Sequence, residues 1–350
     1  MDQSPPPTSA RTTSQTILSV VAVLGLLYIF LIGISGLEAG IGAFGEDFAE
    51  SVFDKVNNPV AALFAAMLAT ALVQSSSVTT STIVGLVGAG ALSVTAAVPM
   101  IMGANIGTTI TNTLVSFGHV RQGQEFRRAF SGAVVHDFFN VLTVAVALPL
   151  ELTTGFLSKT ATALTDLFGE TGNGGGVAGE SPIRTAVGLP MELLDGALAD
   201  LSTAVRGTLL LVIGVVLIFV ALGFITKLMR QLMAGGIERS INRILERGAG
   251  LGGMAMGMVV TMLVQSSSIT TSILIPMLAA GVLTLQTAYP ITLGANLGTT
   301  ITAILASLAA AGPEGLTIAL VHTLFNFFGI LLFYPIPFMR GIPIGLAQRA

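Results

Sequence analysis

Hydrophobic positions in this chain form long continuous runs rather than alternating stretches. Residues 12–37 carry no charged side chain, and neither do residues 56–120 and 248–313. The hydrocarbon core of a membrane is about 30 Å thick and needs roughly 20 apolar residues in a helix. The runs therefore predict an all-α polytopic membrane protein. Its six full spans are expected at 17–37, 95–117, 129–150, 207–226, 287–310 and 316–338.

A polar string interrupts two of the apolar runs. VQSSSVTTS stands at 73–81 and VQSSSITTS at 264–272, each between apolar arms. An arm of roughly 15 residues reaches only about 23 Å as a helix, which is short of the hydrocarbon core. Non-helical backbone at that depth must be surrounded by protein or by a water-filled cavity. The pattern predicts two re-entrant helical hairpins, at 58–92 and 249–283.

Both hairpins belong to an internal repeat. TALVQSSSVTTS at 70–81 matches TMLVQSSSITTS at 261–272, and GANIGTTIT at 103–111 matches GANLGTTIT at 294–302, both with an offset of 191. Three predicted spans separate the hairpins, so the second copy enters the membrane from the opposite side. The sequence therefore predicts an inverted-topology repeat. Its segments are a disordered tail (1–16), a first repeat (17–150), an outer loop (151–206) and a second repeat (207–340).

Composition and charge define the surroundings of the chain. Hydrophobic residues make up 53% and charged residues 9%, whereas soluble domains carry roughly 25% charged residues. Lys and Arg collect at 121–128 and 227–247, and the 151–206 segment is acidic. The positive-inside rule then places both termini in the cytoplasm, in a multi-pass protein of the cell membrane. The chain has no Cys and three His, which argues against a transition-metal site.

Inverted repeats whose broken helices meet near the middle of the membrane are typical of secondary transporters. Two glycines flank the Asn of each GAN motif, in a span that also holds a Pro, and this predicts an unwound helix there. Hydroxyls and N–H groups at a helix N-terminus suit an oxyanion. Side-chain oxygens and unwound carbonyls suit a small cation. The hairpin and GAN cores contain no carboxylate or Lys, which favours Na⁺ over a proton as the coupling ion.

Candidate ligands divide by this chemistry. Hydroxyls assigned to the oxyanion are those of Ser75, Ser76, Ser77, Ser266, Ser267, Ser268, Thr108 and Thr299. Residues assigned to Na⁺ are Gln74, Thr79, Asn105, Thr109, Gln265, Thr270, Asn296 and Thr300. An accessory set comes from VVHDFFN at 134–140 and LVHTLFN at 320–326, namely His136, Asp137, Asn140, His322 and Asn326.

Structural roles compete with these assignments. Ser and Thr in membrane helices often bond to their own backbone or join helices. Gly-x-x-x-Gly at 103–107 and 294–298 can serve helix packing. The symmetric recurrence of both motifs nevertheless favours a site. For the His and Asn residues, hydrogen bonding between helices is the favoured role. Asp137 has Thr323 at its counterpart position and is therefore treated as accessory.

The doubled QSSS, GANIGTT, GANLGTT and RRAFSGAVVHDFFN (127–140) resemble the type II sodium–phosphate cotransporters, over about 58–150 and 249–330. The resemblance implies Na⁺-driven uptake of inorganic phosphate by alternating access, with the QSSS segments at the shared site. The implied partners are inorganic phosphate, Na⁺ and the lipid bilayer. Neither an organic cofactor nor nucleic acid is expected, and a homodimer is left open. The chain lacks Cys and has a short 151–206 loop, which points to a compact bacterial-type member.

Two other functions stay open at this point. One is a Na⁺-coupled carrier of another oxyanion, sulfate or a dicarboxylate, and the other is a phosphate sensor or scaffold without flux. Carboxylate substrates often recruit Arg, and the hairpin cores contain none, which mildly favours phosphate. The same cores contain no acid, which favours electroneutral transport. An enzyme is not expected because no general base accompanies the Ser clusters. Elevator and rocking motions are both compatible with the sequence.

Overall fold

The computed structural model describes residues 13–44, 58–171, 182–247 and 250–350. Within these ranges the chain consists of helices joined by turns, and no strand occurs. Residues 1–12 of the predicted tail lie outside the described ranges. The all-α expectation is thus confirmed for the described chain.

Fifteen α-helices are found in the described residues. They are α1 (Thr13–Phe44), α2 (Pro59–Val73), α3 (Ser76–Gly88), α4 (Val94–Gly107), α5 (Ile110–Ser116), α6 (Gly123–Thr154), α7 (Phe156–Thr171), α8 (Pro182–Ala197), α9 (Thr203–Arg247), α10 (Gly250–Val264), α11 (Ser267–Ser272), α12 (Leu274–Ala279), α13 (Leu285–Ser307), α14 (Pro313–Phe333) and α15 (Pro337–Arg349). A short 3₁₀ turn, Phe117–His119, follows α5.

Five segments of the described chain are long and apolar enough to span a membrane. They are Ile17–Phe44, Val94–His119, Gly123–Thr154, Thr203–Leu232 and Pro313–Phe333. The sixth predicted span, 287–310, corresponds to α13, which is 23 residues long but is not among these five. Its Gln286, Asn296 and threonine side chains lower the mean hydropathy. The expected count of six is therefore corrected to five helices that qualify by length and hydropathy.

Helices α1 and α9 form the most extensive helix pair of the described structure. Their backbones touch because glycines face each other across the contact. A Cβ added at Gly33 would lie 2.9 Å from the Gly214 carbonyl oxygen, and one at Gly40 would lie 2.6 Å from the Leu211 nitrogen. Small residues that admit such close approach are the usual way in which membrane helices associate.

In two further close helix pairs, the first arm before a QSSS string packs against the helix that carries a GAN motif. Helix α2 lies against α4, and α10 lies against α13. A Cβ added at Gly107 would lie 2.5 Å from the Met67 carbonyl oxygen, and one at Gly298 would lie 2.5 Å from that of Met258. The GAN glycines therefore serve backbone-to-backbone packing of these helices.

The two GAN motifs differ in local structure. Helix α4 ends at Gly107, Thr108 and Thr109 form a turn, and α5 begins at Ile110. Helix α13 instead continues without interruption through Asn296. The predicted unwinding is therefore wrong for the second motif. Its glycines are required for contact with α10, and a helical glycine can meet that need without leaving the helix.

The second arms pack against the opposite half of the chain. Helix α3 contacts α13 and α14, and α12 contacts α6. The buried hydrophobic residues of α3 join a cluster that also includes residues of α1, α9 and α14. At the two polar tips between the arms, Gln265 is buried whereas Gln74 is exposed.

The segment 151–206 contains two helices that the sequence analysis did not predict. In α7, Leu157, Ala161 and Thr165 are buried at helical spacing, and Thr165 Oγ1 lies 2.9 Å from Thr317 Oγ1 of α14. In α8, Val187 and Met191 are buried, and that helix packs on α1. Residues 172–181 lie outside the described ranges.

Candidate functional site

The two QSSS tips share one backbone conformation. Gln74 and Gln265 have φ values of 58° and 57°, and they are the non-glycine residues with positive φ in the described structure. Their backbone N–H groups donate to the carbonyl oxygens of Thr70 and Thr261, at 2.8 and 2.7 Å. Each glutamine thereby ends a first arm with a left-handed cap, a position more often taken by glycine.

The glutamine side chains hold this conformation. Their amide nitrogens donate to a carbonyl oxygen of their own first arm. Their Oε1 atoms accept hydrogen bonds of 2.7 Å from Thr111 and Thr302. The two threonines are themselves related by the repeat offset of 191. The sequence analysis did not select them, although both stand at the end of the repeated GAN strings.

A serine begins the second arm of each tip. The side chain of Ser75 accepts from the Val78 N–H at 3.3 Å, and that of Ser266 accepts from the Ile269 N–H at 3.4 Å. These are N-cap contacts, which satisfy one free N–H at a helix start. The N-termini of α3 and α11 are thus formed in the same way, and each directs its free N–H groups to the tip.

Both tips open onto one cavity of 720 Å³. Five of the predicted site residues line it, namely Gln74, Ser75, Gln265, Ser266 and Ser268. The other residues of its wall are Val73, Val78, Thr111, Phe219, Leu222, Gly223, Thr226, Arg230, Ile269, Ser272, Ile273 and Pro276. The fold therefore brings the two halves of the predicted site to a common space.

Three predicted oxyanion ligands, Ser76, Ser77 and Ser267, are buried and do not line this cavity. Ser77 joins the two tips, because its hydroxyl donates to the Gln265 carbonyl oxygen at 3.2 Å. Ser268 reaches the Thr108 carbonyl oxygen at 3.5 Å. The two tips are therefore in direct contact with each other.

Most of the predicted threonine ligands bond to their own helices. The hydroxyls of Thr79, Thr108, Thr270 and Thr299 each donate to the carbonyl oxygen four residues earlier, at 3.0–3.3 Å. Thr300 donates to the carbonyl oxygen three residues earlier, at 2.8 Å. Such bonds leave the hydroxyl oxygen's lone pairs available, so a back-bonded threonine can still accept a cation.

Asp137 is brought against a predicted Na⁺ ligand. The hydroxyl of Thr109 donates to Asp137 Oδ1, across the contact between α5 and α6. Asp137 is half-buried. The hairpin and GAN sequences contain no acidic residue, yet the folded site has a carboxylate beside the turn of the first GAN motif.

A chain of hydrogen bonds connects the accessory residues of the first half to the second GAN motif. His136 Nε2 lies 2.7 Å from Asn296 Oδ1. Asn296 Nδ2 donates to Asn140 Oδ1 at 2.7 Å, and Asn140 Nδ2 donates to the Asn105 carbonyl oxygen at 2.8 Å. All four residues are buried, and their bonds join helices α4, α6 and α13.

His322 and Asn326, the counterparts in the second half, are completely buried in α14. Asn326 Nδ2 donates to the His322 carbonyl oxygen at 3.0 Å, within its own helix. Neither ring nitrogen of His322 has a hydrogen-bond partner among the described residues.

Helix α9 adds wall residues that the sequence analysis missed. Phe219, Thr226 and Arg230 line the cavity wall, and Arg230 lies on the part of α9 that continues past the predicted end at 226. Arg230 is exposed and forms no ion pair within the described chain. The basic cluster at 227–247 was visible in the sequence. Only the fold shows that Arg230 faces the same space as the QSSS tips.

Comparison with known proteins gives a consistent result. The sequence model of the Na⁺/Pi-cotransporter family matches residues 29–160 and 216–340. The chain is 33% identical to sodium-dependent phosphate transport protein 2A of Rattus norvegicus, over 99% of this chain and 66% of that protein. It is also 33% identical to sodium-dependent phosphate transport protein 2B of Homo sapiens, over 95% of this chain and 61% of that protein. The chain thus spans just under two thirds of these relatives. No solved structure matches it.

Proposed function

The chain belongs to the Na⁺/Pi-cotransporter family, and we propose that it is a secondary transporter that couples uptake of inorganic phosphate to Na⁺ by alternating access. The observation that carries this proposal is the shared cavity. Two QSSS tips and Arg230 face the same 720 Å³. Hydroxyls, helix N-termini and a guanidinium together suit a phosphate oxyanion.

The phosphate ligands that we propose are the hydroxyls of the tips that line the cavity. Ser75, Ser266 and Ser268 line the cavity, so phosphate can reach them directly. Ser76, Ser77 and Ser267 do not line the cavity. Ser76 and Ser267 are the first residues of α3 and α11, and Ser77 is the second residue of α3. We propose that the backbone N–H groups of these three serines stabilise the negative charge of phosphate. Their side chains would contact phosphate once the two tips separate.

For Na⁺ we propose oxygen ligands from the same tips and from the GAN motifs. Gln74 and Gln265 would supply amide oxygens. Threonine hydroxyls and carbonyl oxygens of the GAN motifs would supply the remaining ligands. The contact between Thr109 and Asp137 adds a negative charge where the first GAN helix is interrupted. A carboxylate there can neutralise the charge of one bound cation. The absence of an acid from the hairpin sequences is therefore no longer a reason to expect electroneutral transport.

The membrane arrangement that we propose is an inverted repeat with two re-entrant hairpins. Helices α2 and α3 are 15 and 13 residues long, which corresponds to about 20–23 Å and is too short to span. Matching left-handed caps at Gln74 and Gln265 and packing of α3 and α12 on the opposite half support this arrangement. Gln265 is buried and Gln74 lines the cavity, which is compatible with the requirement that non-helical backbone at membrane depth lies in protein or in a water-filled cavity.

We further propose that this conformation faces the cytoplasm. Arg230 belongs to the basic cluster that the positive-inside rule assigns to the cytoplasmic side, and Arg230 lines the cavity. At the predicted outer side, contacts at Ala311 border a separate cavity of 640 Å³ that the QSSS tips do not line. The Glu38 carboxylate accepts from the Ala311 N–H, and Arg184 Nη1 donates to the Ala311 carbonyl oxygen at 2.9 Å.

Phosphate uptake into liposomes tests the proposed function. The purified chain is expected to accumulate radiolabelled phosphate with external Na⁺ and not when choline replaces Na⁺. Ser268→Ala removes a cavity-lining hydroxyl and is expected to lower uptake about tenfold, the scale of one hydrogen bond to a charged group. Ser81→Ala is the matched control, because Ser81 is a buried hydroxyl of α3 without a partner in the described structure. Absence of Na⁺-dependent uptake by the unmodified chain would refute the proposal.

Other oxyanions remain the second candidate because of Arg230. A guanidinium recognises carboxylates as well as phosphates, and the folded cavity contains one although the hairpin sequences do not. Excess sulfate and a dicarboxylate such as succinate are expected to leave phosphate uptake unchanged. Strong competition by either would identify the chain as a carrier of that anion. Specific phosphate binding without uptake would identify a sensor.

A further inference from the structure

Two sets of buried side chains, one engaged and one not, occupy equivalent places in the two halves. The engaged triad is His136, Asn296 and Asn140, which bond in that order and end on the Asn105 carbonyl oxygen. Because Asn296 Nδ2 is used for Asn140, its oxygen accepts, and His136 carries its proton on Nε2.

The repeat offsets identify the second set. An offset of 191 relates Asn105 to Asn296, and an offset of 186 relates His136 and Asn140 to His322 and Asn326. The idle triad is therefore His322, Asn105 and Asn326. Its equivalent bonds would run from His322 Nε2 to Asn105 Oδ1, from Asn105 Nδ2 to Asn326 Oδ1, and from Asn326 Nδ2 to the Asn296 carbonyl oxygen.

Four of the six atoms that these bonds require are without a partner in the described chain or bond to their own helices. His322 Nε2 and Asn326 Oδ1 have no partner within the described chain, although both residues are completely buried. Asn105 Nδ2 donates to the Ile101 carbonyl oxygen at 3.0 Å, and Asn326 Nδ2 donates to that of His322 at 3.0 Å. Both amides thus donate to carbonyl oxygens four residues earlier in their own helices.

The helices that carry the idle triad are already in contact. Helix α14 packs against α4 and against α13, and these are the contacts that the missing bonds would cross. Buried polar groups are almost always hydrogen-bonded, so unpaired ones call for a physical reason. A second conformation in which they are paired supplies that reason.

We propose that the two triads exchange during transport. The conformation that opens to the opposite side forms the idle triad and breaks the engaged one, so His322, Asn326 and Asn105 act as positioning residues of that state. The inference rests on the proposed alternating-access function. Since equal sets of bonds are made and broken, the triads contribute similar free energies to both states, and both states can be populated.

A single-cysteine reporter measures this exchange without requiring flux. The chain has no Cys, and Gly223 lines the cavity with open space around it. In the Gly223→Cys background, a membrane-impermeant maleimide applied to inside-out vesicles labels the state described here. His322→Phe removes the idle triad, and Asn140→Leu removes the engaged one.

The labelling rate of the His322→Phe variant is expected to exceed that of the Asn140→Leu variant by about fivefold, the scale of one buried hydrogen bond. His322→Gln, which retains a donor, is expected to return the rate towards that of the parent. Thr143→Val is the control on α6 and should leave the rate unchanged, since among the described residues the Thr143 hydroxyl bonds only to the Phe139 carbonyl oxygen.

Equal labelling rates for His322→Phe and Asn140→Leu would overturn the proposed exchange, whatever effect the two substitutions have on stability. A water molecule bound to His322 predicts that result, with a change in thermal unfolding alone. Phosphate uptake by the parent chain is measured in parallel. Absent uptake counts against the proposed function, whereas normal uptake with equal labelling rates counts only against the triads.

Discussion

At the scale of single residues, the tips depend on an unusual choice of side chain. A left-handed conformation costs a non-glycine residue roughly 1 kcal/mol, yet Gln74 and Gln265 both adopt it. Their side chains offset that cost through bonds to Thr111 and Thr302. Glycine would adopt the backbone more easily but would remove the amide oxygen from the cavity. Strain retained in this manner is typical of functional sites.

Arg230 gives the first prediction at this scale. Arg230→Gln removes the guanidinium from the cavity wall, so the local concentration of phosphate near the tips falls. The KM for phosphate is expected to rise about tenfold, with little change in the Na⁺ dependence. Lys227→Gln is the control, because Lys227 is exposed on the same helix and is absent from the cavity wall. Equal KM values for the two variants, measured by uptake at low and high salt, would refute this role.

At the scale of helices, close packing determines how the GAN motifs behave. A glycine next to a polar residue in a membrane span is compatible with an unwound helix or with a tight helix pair. The sequence analysis favoured unwinding, whereas α13 remains helical through Gly294 and Gly298. Both glycines approach carbonyl oxygens of α10. Distances between helices are tertiary information, and the one-dimensional pattern does not contain them.

Gly294→Ala tests this packing. The added Cβ would collide with the Met254 carbonyl oxygen, so α10 and α13 would have to separate. The free energy of unfolding is expected to fall by about 3 kcal/mol, at the upper end of typical overpacking. Gly252→Ala on α10 meets nothing within 4 Å and should be neutral or slightly stabilising. Thermal unfolding in detergent compares them, and similar midpoints would favour a looser helix pair.

At the scale of the whole molecule, the two halves are alike in sequence but differ in conformation. The first GAN helix is interrupted and the second is continuous. One His–Asn set is bonded and the other is not. A transporter that alternates between two states is asymmetric in each of them, because only one side can be open at a time. Under the proposed alternating-access function, the differences between the repeats describe one state and their similarities describe the fold.

The sidedness of the loops provides the prediction at this scale. Gln122 and Asp200 are exposed and lie in loops that the positive-inside rule assigns to opposite sides of the membrane. With no native Cys, Gln122→Cys is expected to react with an impermeant thiol reagent only in inside-out vesicles. Asp200→Cys is expected to react only in intact cells. Reaction of both from the same side would contradict the inverted topology.

The sequence by itself determined the helical class, the repeat and the position of the polar tips. These follow from local chemistry, since long apolar runs favour helices over strands and two nearly identical polar strings mark equivalent positions. It also identified Gln74, Ser75, Gln265, Ser266 and Ser268, which the structure brings to one cavity.

Only the tertiary structure decided which candidate side chains face that cavity and which bond to their own helix. It also placed Arg230 on the wall, Asp137 against Thr109, and two helices within 151–206. Each of these depends on contacts between residues distant in the chain. The physical reason is that a hydropathy pattern records whether a side chain avoids water, whereas a site depends on which other groups surround it.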